Sequence, residues 1–314
     1  MYSIVIPCYK SSETIEEVVT STLSVMKKLN KENVEFVLVN DCSPDNGKTI
    51  DKLRQLAKEY SFVKVINLAK NVGQHNAMMA GLRHATGDII ISMDDDMQTR
   101  PSELPKMFAE FEKGYDVVYG CYPEKKHSAF RNFGSWFNRV TVTWLLKKPK
   151  EIRSSSFWIM HKFVKDSITT YTGSHTYLLG LILRTTHNIK SVEVNHFERE
   201  HGTSGYTLKS LLGLWSNIIG FTSKPLELAM HMGYFVSFCS IVAAVIVFIR
   251  KLVNPALTVG WPSTIIAIFF SLGILLAFMG LIGEYIGRMY IQINNEPQYV
   301  IKEMINIEEE KCQK

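Results

Sequence analysis

Residues 88–98 have the sequence DIIISMDDDMQ, in which a short apolar run leads directly into three consecutive aspartates. The isoleucine-rich run over 88–93 is typical of a buried β-strand. Three adjacent carboxylates repel one another, so the end of a strand gains no stability from them. A hard divalent cation removes this repulsion, because Mg²⁺ and Mn²⁺ bind oxygen ligands and also bridge the phosphates of a nucleotide. The pattern predicts a strand that ends at a metal site.

The spacing within the triplet indicates which side chains share the ion. Residues two positions apart on an extended segment point to the same side, so Asp94 and Asp96 are placed to hold one cation, with Gln98 in the same register. The alternative is a solvated acidic turn that binds nothing. The metal site is favoured because other predicted strands of this chain also end in polar residues.

The first 120 residues alternate short apolar runs with segments of helical period. Strand–helix alternation predicts an α/β fold, with a mainly parallel sheet covered by helices on both faces. Ligands of such sheets bind beyond the carboxyl ends of the strands. The predicted strands are 3–7, 34–40, 63–68, 88–93 and 116–119, and the predicted helices are 13–29, 47–60, 75–84 and 102–113.

Two further strand ends carry candidate binding residues. Asp41 follows the second strand in a turn rich in Asn, Ser, Pro and Gly, where it could hold a nucleobase or ribose. Turn chemistry alone is the alternative explanation for Asp41. The third strand leads into Lys70 and a glycine before a predicted helix, which suits an anion, although this signal is not specific by itself.

The C-terminal third contains two uncharged stretches, 232–249 and 263–283. Each is long enough to cross a hydrocarbon core of about 30 Å. Two buried core helices are the alternative. The short connector, 250–262, predicts a transmembrane hairpin with both chain ends on one side of the membrane. Lysines and arginines lie on both sides of the spans and do not settle the orientation. The first residues lack the pattern of a signal peptide, which favours the cytosol for the N-terminal domain.

The sequence therefore predicts a cytosolic α/β domain over 1–225, two transmembrane helices within 226–288, and a cytosolic tail over 289–314. Within this tail, residues 303–314 are predicted to be charged and frayed. Segments near 128–148 and 207–225 are predicted as interfacial helices, the first with an ordinary half-buried helix as its alternative. The net charge of +5 without concentrated Lys/Arg runs argues against a nucleic-acid-binding protein and suits an anionic membrane surface. Five scattered cysteines without CxxC spacing indicate reduced thiols.

Several motifs resemble those of family 2 glycosyltransferases of the GT-A fold, in their order and spacing. In the first half these are IVIPCY (4–9), NDCS (40–43), NVGQ (71–74), GD (87–88) and DDDMQ (94–98). In the second half, EREHGTSGY (198–206), FTSKPL (221–226), GEYIGR (283–288) and PQY (297–299) resemble the polyprenyl-phosphate branch of that family. This branch includes dolichol-phosphate mannose synthases, bactoprenol glucosyltransferases and undecaprenyl-phosphate aminoarabinose transferases, of which the last group is the most similar.

The resemblance implies a homo-oligomeric, multi-pass enzyme of the bacterial inner membrane. It implies metal-dependent transfer of a sugar from a nucleotide diphosphate donor to undecaprenyl phosphate, and it favours a UDP-sugar over a GDP-sugar. Our hypothesis for the mechanism is a single inverting displacement at the anomeric carbon. Arg131 and Ser135 match an Arg-x-x-x-Ser pattern for the lipid phosphate, and Arg199 would meet the donor diphosphate or the acceptor phosphate, since arginine binds phosphate oxygens bidentately. The implied metal ligands for Mg²⁺ or Mn²⁺ are Asp94, Asp96 and Gln98. The implied nucleotide-binding residues are Pro7, Tyr9, Asp41, Lys70, Asp94 and Asp95. The implied catalytic residues are Asp96, Arg131, Ser135 and Arg199.

The chain departs from the family pattern at positions near the acceptor and sugar. Ser156 and Trp158 replace the Asp and Arg of an Asp-Phe-Arg motif, and Tyr122, Gly205 and Ser11 replace an Arg, a Lys and a Glu. These changes predict an intact donor site beside altered acceptor and sugar pockets. A phosphate acceptor is already anionic, so the reaction needs no general base.

Three rival functions remain open at this stage. A processive polysaccharide synthase shares the fold, but a Gln-x-x-Arg-Trp motif and additional spans are absent from this sequence. A non-catalytic membrane scaffold would explain the acceptor-site changes. A nucleotidyltransferase could use the aspartates, but two apolar spans favour a lipid acceptor.

Overall fold

Eight strands in the described part of the chain form one mixed sheet. The computed structural model describes residues 1–122, 143, 148–149, 151–173, 176–195, 197, 224–253, 260–294 and 296–307. The strands are β1 Tyr2–Cys8, β2 Val34–Asn40, β3 Val63–Leu68, β4 Ile89–Ser92, β5 Val117–Cys121, β6 Trp158–His161, β7 Ile189–Glu193 and β8 Ile301–Ile305. Their order is β7-β5-β6-β4-β1-β2-β3-β8, with β6 and β8 antiparallel to their neighbours and the other pairs parallel.

Helices pack on both faces of this sheet. Ile4 and Ile6 of β1 belong to a buried cluster that includes Ile15 and Val18, because alternate strand residues face opposite sides. On the other face, an added Cβ on Gly81 would lie 2.4 Å from the Val5 side chain, so a glycine is needed for the close approach of helix and strand. The helices are α1 Ile15–Lys28, α2 Lys48–Glu59, α3 Gln74–His84, α4 Leu104–Phe111, α5 Lys162–Thr169 and α6 Leu178–Thr185, with a 3₁₀ turn at Pro101–Glu103.

The α/β prediction is confirmed, and all five predicted strands are present with shifts of at most two residues at their ends. The sequence pattern did not predict β6, β7 or β8. The predicted frayed tail is wrong from Glu303 to Ile305, because these residues pair with β3 as part of β8. The predicted interfacial helices near 128–148 and 207–225 lie almost entirely outside the described residues.

The chain clusters into two compact units, residues 1–217 with 295–314, and residues 218–294. The second unit contains two long helices, α7 Lys224–Val253 and α8 Trp261–Ile293. Within them, Lys224–Val242 and Ala267–Ile291 are long and apolar enough to cross a membrane, judged by length and composition, and neither stretch is buried by the protein itself. Helix α8 continues past Gly283, where the uncharged stretch ends, and includes Glu284.

Candidate active site

The carboxyl ends of four adjacent parallel strands bring the predicted site residues to one edge of the sheet. Cys8 at the end of β1 is opposite Asn40 at the end of β2, and Asn40 is opposite Asn67 near the end of β3. Strand β4 ends at Ser92, and Met93 separates it from the aspartate triplet. The predicted site residues at or after these strand ends are Pro7, Tyr9, Asp41, Lys70, Asp94, Asp95, Asp96 and Gln98.

Asp41 fastens the loop after β3 to the end of β2. Its carboxylate accepts hydrogen bonds from the backbone N–H groups of Val72, at 2.7 Å, and Gly73, at 2.9 Å. Gly73 has a φ of 82°, a left-handed value that favours glycine. Burial raises the pKa of Asp41, and the two backbone hydrogen bonds offset part of that rise. A nucleotide-binding role for Asp41 stays a prediction, and its observed role is to shape the loop beside Lys70.

Each aspartate of the triplet is held by a different part of the chain. Asp94 accepts a hydrogen bond from Gln74 Nε2 at 3.0 Å and another from the Ser156 hydroxyl. Asp95 accepts from the backbone N–H of Tyr9 at 2.9 Å. Asp96 accepts from the backbone N–H of Gln98 at 3.0 Å. The chain turns sharply after Asp96, since Met97 has a φ of 58° in the left-handed region.

Asp94 and Asp95 carry more negative charge than their described neighbours compensate. Burial raises the pKa of Asp94 to about 6; the Asp96 and Asp95 carboxylates add to the rise, while hydrogen bonds from Ser156 and Gln74 oppose it. Burial also raises the pKa of Asp95. Among the described residues, no Lys or Arg forms an ion pair with Asp94 or Asp95. This excess of negative charge suits a cation.

The donor atoms fit a divalent cation that is shared with a substrate. Within the described residues there is no group of three His, Cys, Asp or Glu side chains that would enclose a metal by itself. Asp94, Asp96 and Gln98 offer oxygen atoms only, which are the ligands of Mg²⁺ and Mn²⁺. Mg²⁺ is usually held by one or two carboxylates together with water and substrate phosphates. The aspartates therefore suit an ion that arrives with a phosphorylated ligand.

Neutral hydroxyl groups line the side of the site next to β5 and β6. The Tyr122 hydroxyl lies 2.6 Å from Thr99 Oγ1. Burial raises the pKa of Tyr122, which keeps this phenol protonated near neutral pH. Ser156 lies two residues before β6, and its hydroxyl donates to Asp94. The Arg and the Asp of the family pattern at positions 122 and 156 are thus replaced by two hydroxyl groups that touch the triplet or the loop following it.

The chain before Arg199 is anchored next to the triplet. The backbone N–H of Phe197 donates to the Gln98 carbonyl at 2.9 Å, and the Arg100 guanidinium lies 4.2 Å from the centre of the Phe197 ring. Asn195 Nδ2 donates to Glu103 at 2.9 Å. Arg131, Ser135, Arg199 and Gly205 lie outside the described residues, so their roles stay predictions.

Sequence reasoning missed Gln74 and Thr99 as members of the site. Gln74 lies in the NVGQ motif, but only the fold shows that its amide reaches Asp94, 20 residues away. The sequence identified Ser156 only as a position where the family pattern has an aspartate. Its contact with Asp94 depends on the unpredicted pairing of β6 with β4.

Comparison with known proteins supports the resemblance to family 2 glycosyltransferases that the sequence motifs indicate. Residues 3–169 match the family described as Glycosyl transferase family 2. The chain belongs to this family. It is 32% identical over 312 residues to an undecaprenyl-phosphate 4-deoxy-4-formamido-L-arabinose transferase of Pseudomonas savastanoi pv. phaseolicola, covering 96% of this chain and 90% of that relative. A relative of the same name from Proteus mirabilis is 29% identical over 312 residues, covering 97% of this chain and 94% of the relative.

The solved structures agree on the fold of this glycosyltransferase. Glucosyl-3-phosphoglycerate synthase from Mycobacterium tuberculosis, in complex with Mn²⁺ and UDP-glucose, superposes with a TM-score of 0.51 at 16% identity. The superposition covers 71% of this chain and 79% of the synthase. The protein is thus a glycosyltransferase with a GT-A fold and two additional apolar helices near its C-terminus.

Proposed function

We propose that this glycosyltransferase transfers a sugar from a nucleotide diphosphate donor, a UDP-sugar, to a polyprenyl phosphate at a membrane surface. The observation that carries the proposal is the aspartate triplet at the carboxyl edge of the sheet, where Asp94 and Asp95 have raised pKa values and no described cationic partner. A divalent cation bound together with a diphosphate neutralises such a site.

Two observations support the binding of a nucleotide diphosphate sugar as the donor. The Mycobacterium tuberculosis synthase with the same fold was solved with Mn²⁺ and UDP-glucose. In this chain, Tyr9 is exposed beside Asp95, and the loop that Asp41 holds carries the exposed cation of Lys70. An exposed aromatic ring and a lysine at one strand edge suit a nucleobase and its phosphates. We assign nucleotide binding to Pro7, Tyr9, Asp41, Lys70, Asp94 and Asp95.

Sequence similarity and the two apolar helices support a polyprenyl phosphate as the acceptor. The relatives from Proteus mirabilis and Pseudomonas savastanoi are named undecaprenyl-phosphate transferases and match nearly the whole chain. The apolar helices α7 and α8 would hold the catalytic domain at the membrane, where a polyprenyl phosphate presents its head group. We assign the acceptor phosphate to Arg131 and Ser135. Arg199 follows Phe197 by two positions, and Phe197 contacts the loop after the triplet, so we assign Arg199 to a phosphate at the same site.

The proposed mechanism is a single displacement at the anomeric carbon. A bound divalent cation would neutralise charge on the leaving nucleoside diphosphate, with Asp94, Asp96 and Gln98 as its protein ligands. The protein residues orient two anionic reactants against each other, which lowers the entropic cost of their encounter. The acceptor phosphate attacks without a general base because it is already ionised. One displacement inverts the anomeric configuration.

The proposed location follows from the same features. The catalytic domain would lie on the cytosolic face of the bacterial inner membrane, with both spans crossing as a hairpin and the enzyme acting as a homo-oligomer. A protease-protection experiment on sealed inverted vesicles tests the orientation. Cleavage of the N-terminal domain in inverted vesicles, and protection in right-side-out vesicles, is the expected result.

The function is tested by incubating the full-length protein, in detergent or nanodiscs, with undecaprenyl phosphate, MnCl₂ and a panel of UDP- and GDP-sugars. Mass analysis of the lipid should show one sugar added per lipid phosphate, with release of the nucleoside diphosphate. NMR of the product should show inversion relative to the donor. A polymer of several sugars would instead identify a processive synthase, and the absence of transfer from every donor would favour a non-catalytic scaffold.

A further inference from the structure

Ser156 is fixed to the end of strand β4 by its backbone. It lies two residues before Trp158, the first residue of β6, which pairs with Ser92 at the end of β4. The Ser92 hydroxyl donates a hydrogen bond to the Ser156 carbonyl at 2.7 Å, and Ser92 is fully buried. The position of Ser156 therefore does not depend on its own side chain, which remains available for another contact.

The Ser156 hydroxyl uses this position to bind Asp94. It donates to Oδ2 of the Asp94 carboxylate, while Gln74 Nε2 donates to Oδ1 at 3.0 Å. Both oxygens of one carboxylate thus have a donor, one from the start of α3 and one from the segment before β6. Two contacts from separate elements fix the orientation of the carboxylate in a way that one contact would not.

The neutrality of both donors matters for a residue that is to bind a cation. A lysine or arginine in either place would orient Asp94 equally well, but it would compensate the negative charge and repel a divalent ion. A hydroxyl and an amide leave the charge in place. Among the described residues Asp94 forms no ion pair, although it is enclosed by Ser156, Gln74 and the other aspartates.

We propose that Ser156 and Gln74 are positioning residues that orient the Asp94 carboxylate toward a divalent cation and the donor diphosphate. The inference rests on the proposed function, because it takes Asp94 as a ligand of that cation. It assigns to Ser156 a part in donor binding, whereas the sequence pattern placed position 156 near the acceptor.

The test measures Mn²⁺ binding rather than turnover. Full-length protein is titrated with Mn²⁺ in the presence of UDP, and free Mn²⁺ is followed by electron paramagnetic resonance. Ser156→Ala should weaken Mn²⁺ affinity by about 10- to 100-fold, the range seen when a partner of a ligating group is removed. Ser156→Thr, which keeps a hydroxyl, should restore most of the affinity. Gln74→Ala should weaken binding in the same direction and serves as an independent variant if Ser156→Ala folds poorly.

Ser155→Ala is the matched control. The Ser155 hydroxyl belongs to the neighbouring residue but contacts the carbonyls of Gly120 and Phe157 instead of an aspartate. Mn²⁺ affinity should be unchanged in this variant. Equal weakening in Ser155→Ala and Ser156→Ala would mean that local disturbance is responsible, and this result would overturn the proposal. So would unchanged affinity in both Ser156→Ala and Gln74→Ala.

The outcome separates this inference from the proposed function. A wild-type protein that transfers sugar and binds Mn²⁺, with unchanged affinity in the Ser156 and Gln74 variants, would overturn the positioning role alone. Weakened Mn²⁺ binding in these variants, without sugar transfer by wild type, would overturn the proposed acceptor and keep the positioning role. A wild type that transfers sugar without binding Mn²⁺ would overturn both the metal site and the positioning role.

Discussion

The two edges of the sheet hold buried carboxylates in opposite electrostatic conditions. At the amino edge, Glu35 is 2% exposed and pairs with Lys64 at 2.6 Å while accepting hydrogen bonds from Ser3 and Thr86. Burial alone would raise its pKa, but the Lys64, Ser3 and Thr86 contacts together lower it. At the carboxyl edge, burial raises the pKa of Asp94 to about 6, and neutral donors do not reverse the rise.

The difference shows how structural and functional charges are distinguished in this fold. The Lys64 ammonium group compensates the negative charge of Glu35, so this carboxylate does not need a bound cation. Among the described residues, the fold supplies Asp94 only with neutral hydrogen-bond donors and places two more carboxylates beside it. Perturbed carboxyl groups of the second kind concentrate at functional sites.

The largest expected effect is the loss of activity at the carboxyl edge. Asp96→Asn should reduce sugar transfer by about 1,000-fold, because it removes a charge that we propose to bind the cation at the leaving diphosphate. The melting temperature should not fall. Asp88→Asn, an exposed aspartate at the opposite edge that pairs with the N-terminal amine, should keep normal activity. Near-normal turnover in Asp96→Asn would contradict the assignment.

At the amino edge the same type of substitution should destabilise the fold and leave the chemistry intact. Glu35→Gln removes the carboxylate that compensates Lys64 and satisfies the buried donors, at a cost of about 3 kcal/mol in the free energy of unfolding. Urea denaturation in detergent measures the change. Glu112→Gln, whose pair with Lys31 involves a largely exposed carboxylate, is the control and should change stability by less than about 1 kcal/mol. Equal changes in the two variants would argue against the structural role of Glu35.

A buried amide nitrogen in the C-terminal segment sharpens the comparison, since the fold alone supplies its hydrogen-bond acceptors. Gln298 is 5% exposed, and its amide donates to the Gly173 carbonyl at 2.7 Å and to Thr176 Oγ1 at 2.9 Å. Gln298→Ala should cost about 2 kcal/mol of stability by leaving these acceptors unsatisfied. The exposed Gln55 provides a control, because Gln55→Ala should have little effect on the same unfolding curve.

The sequence predicted the parallel strands because each is an apolar run followed by a helix. It missed β6 and β8 for physical reasons. β6 is four residues long and gains its stability from antiparallel pairing with both β4 and β5, which are distant in sequence. β8 has the sequence IKEMI within a charged tail, and its pairing with β3 depends on a segment more than 230 residues away. Short local patterns do not contain such long-range contacts.

The candidate site, like the fold, was predicted only in part. The residues that directly follow parallel strands, such as Asp41 and the triplet, were found because the carboxyl edge of the sheet follows from the strand order. Gln74 and Ser156 were not assigned to Asp94, since their contacts require the placement of α3 and the unpredicted β6. Local sequence thus identifies the charged groups, and tertiary pairing determines which neutral groups orient them.

The smallest expected effect is a difference in the pH dependence of stability between the two edges, in buffer without divalent cations. The pKa of Asp94 in the folded protein, about 6, lies above its ordinary value of 3.8. Its contribution to stability is therefore present below the ordinary value and is lost as the pH rises through about 6. The pKa of Glu35 is lowered, so its contribution is present above its ordinary value and is lost as the pH falls through the folded-state value.

Asp94→Asn should consequently gain on the order of 1 kcal/mol relative to wild type between about pH 4 and pH 6, because the asparagine has no charge to bury. Glu35→Gln should show the opposite trend, with its deficit shrinking as the pH falls below the ordinary glutamate range. Urea unfolding of the three proteins at a series of pH values measures both slopes. Parallel curves for wild type and Asp94→Asn would show that the charge of Asp94 is compensated within the fold, and the contrast between the two edges would then fail. Addition of Mn²⁺ should stabilise wild type at pH 7 more than Asp94→Asn, because only the carboxylate binds the ion tightly.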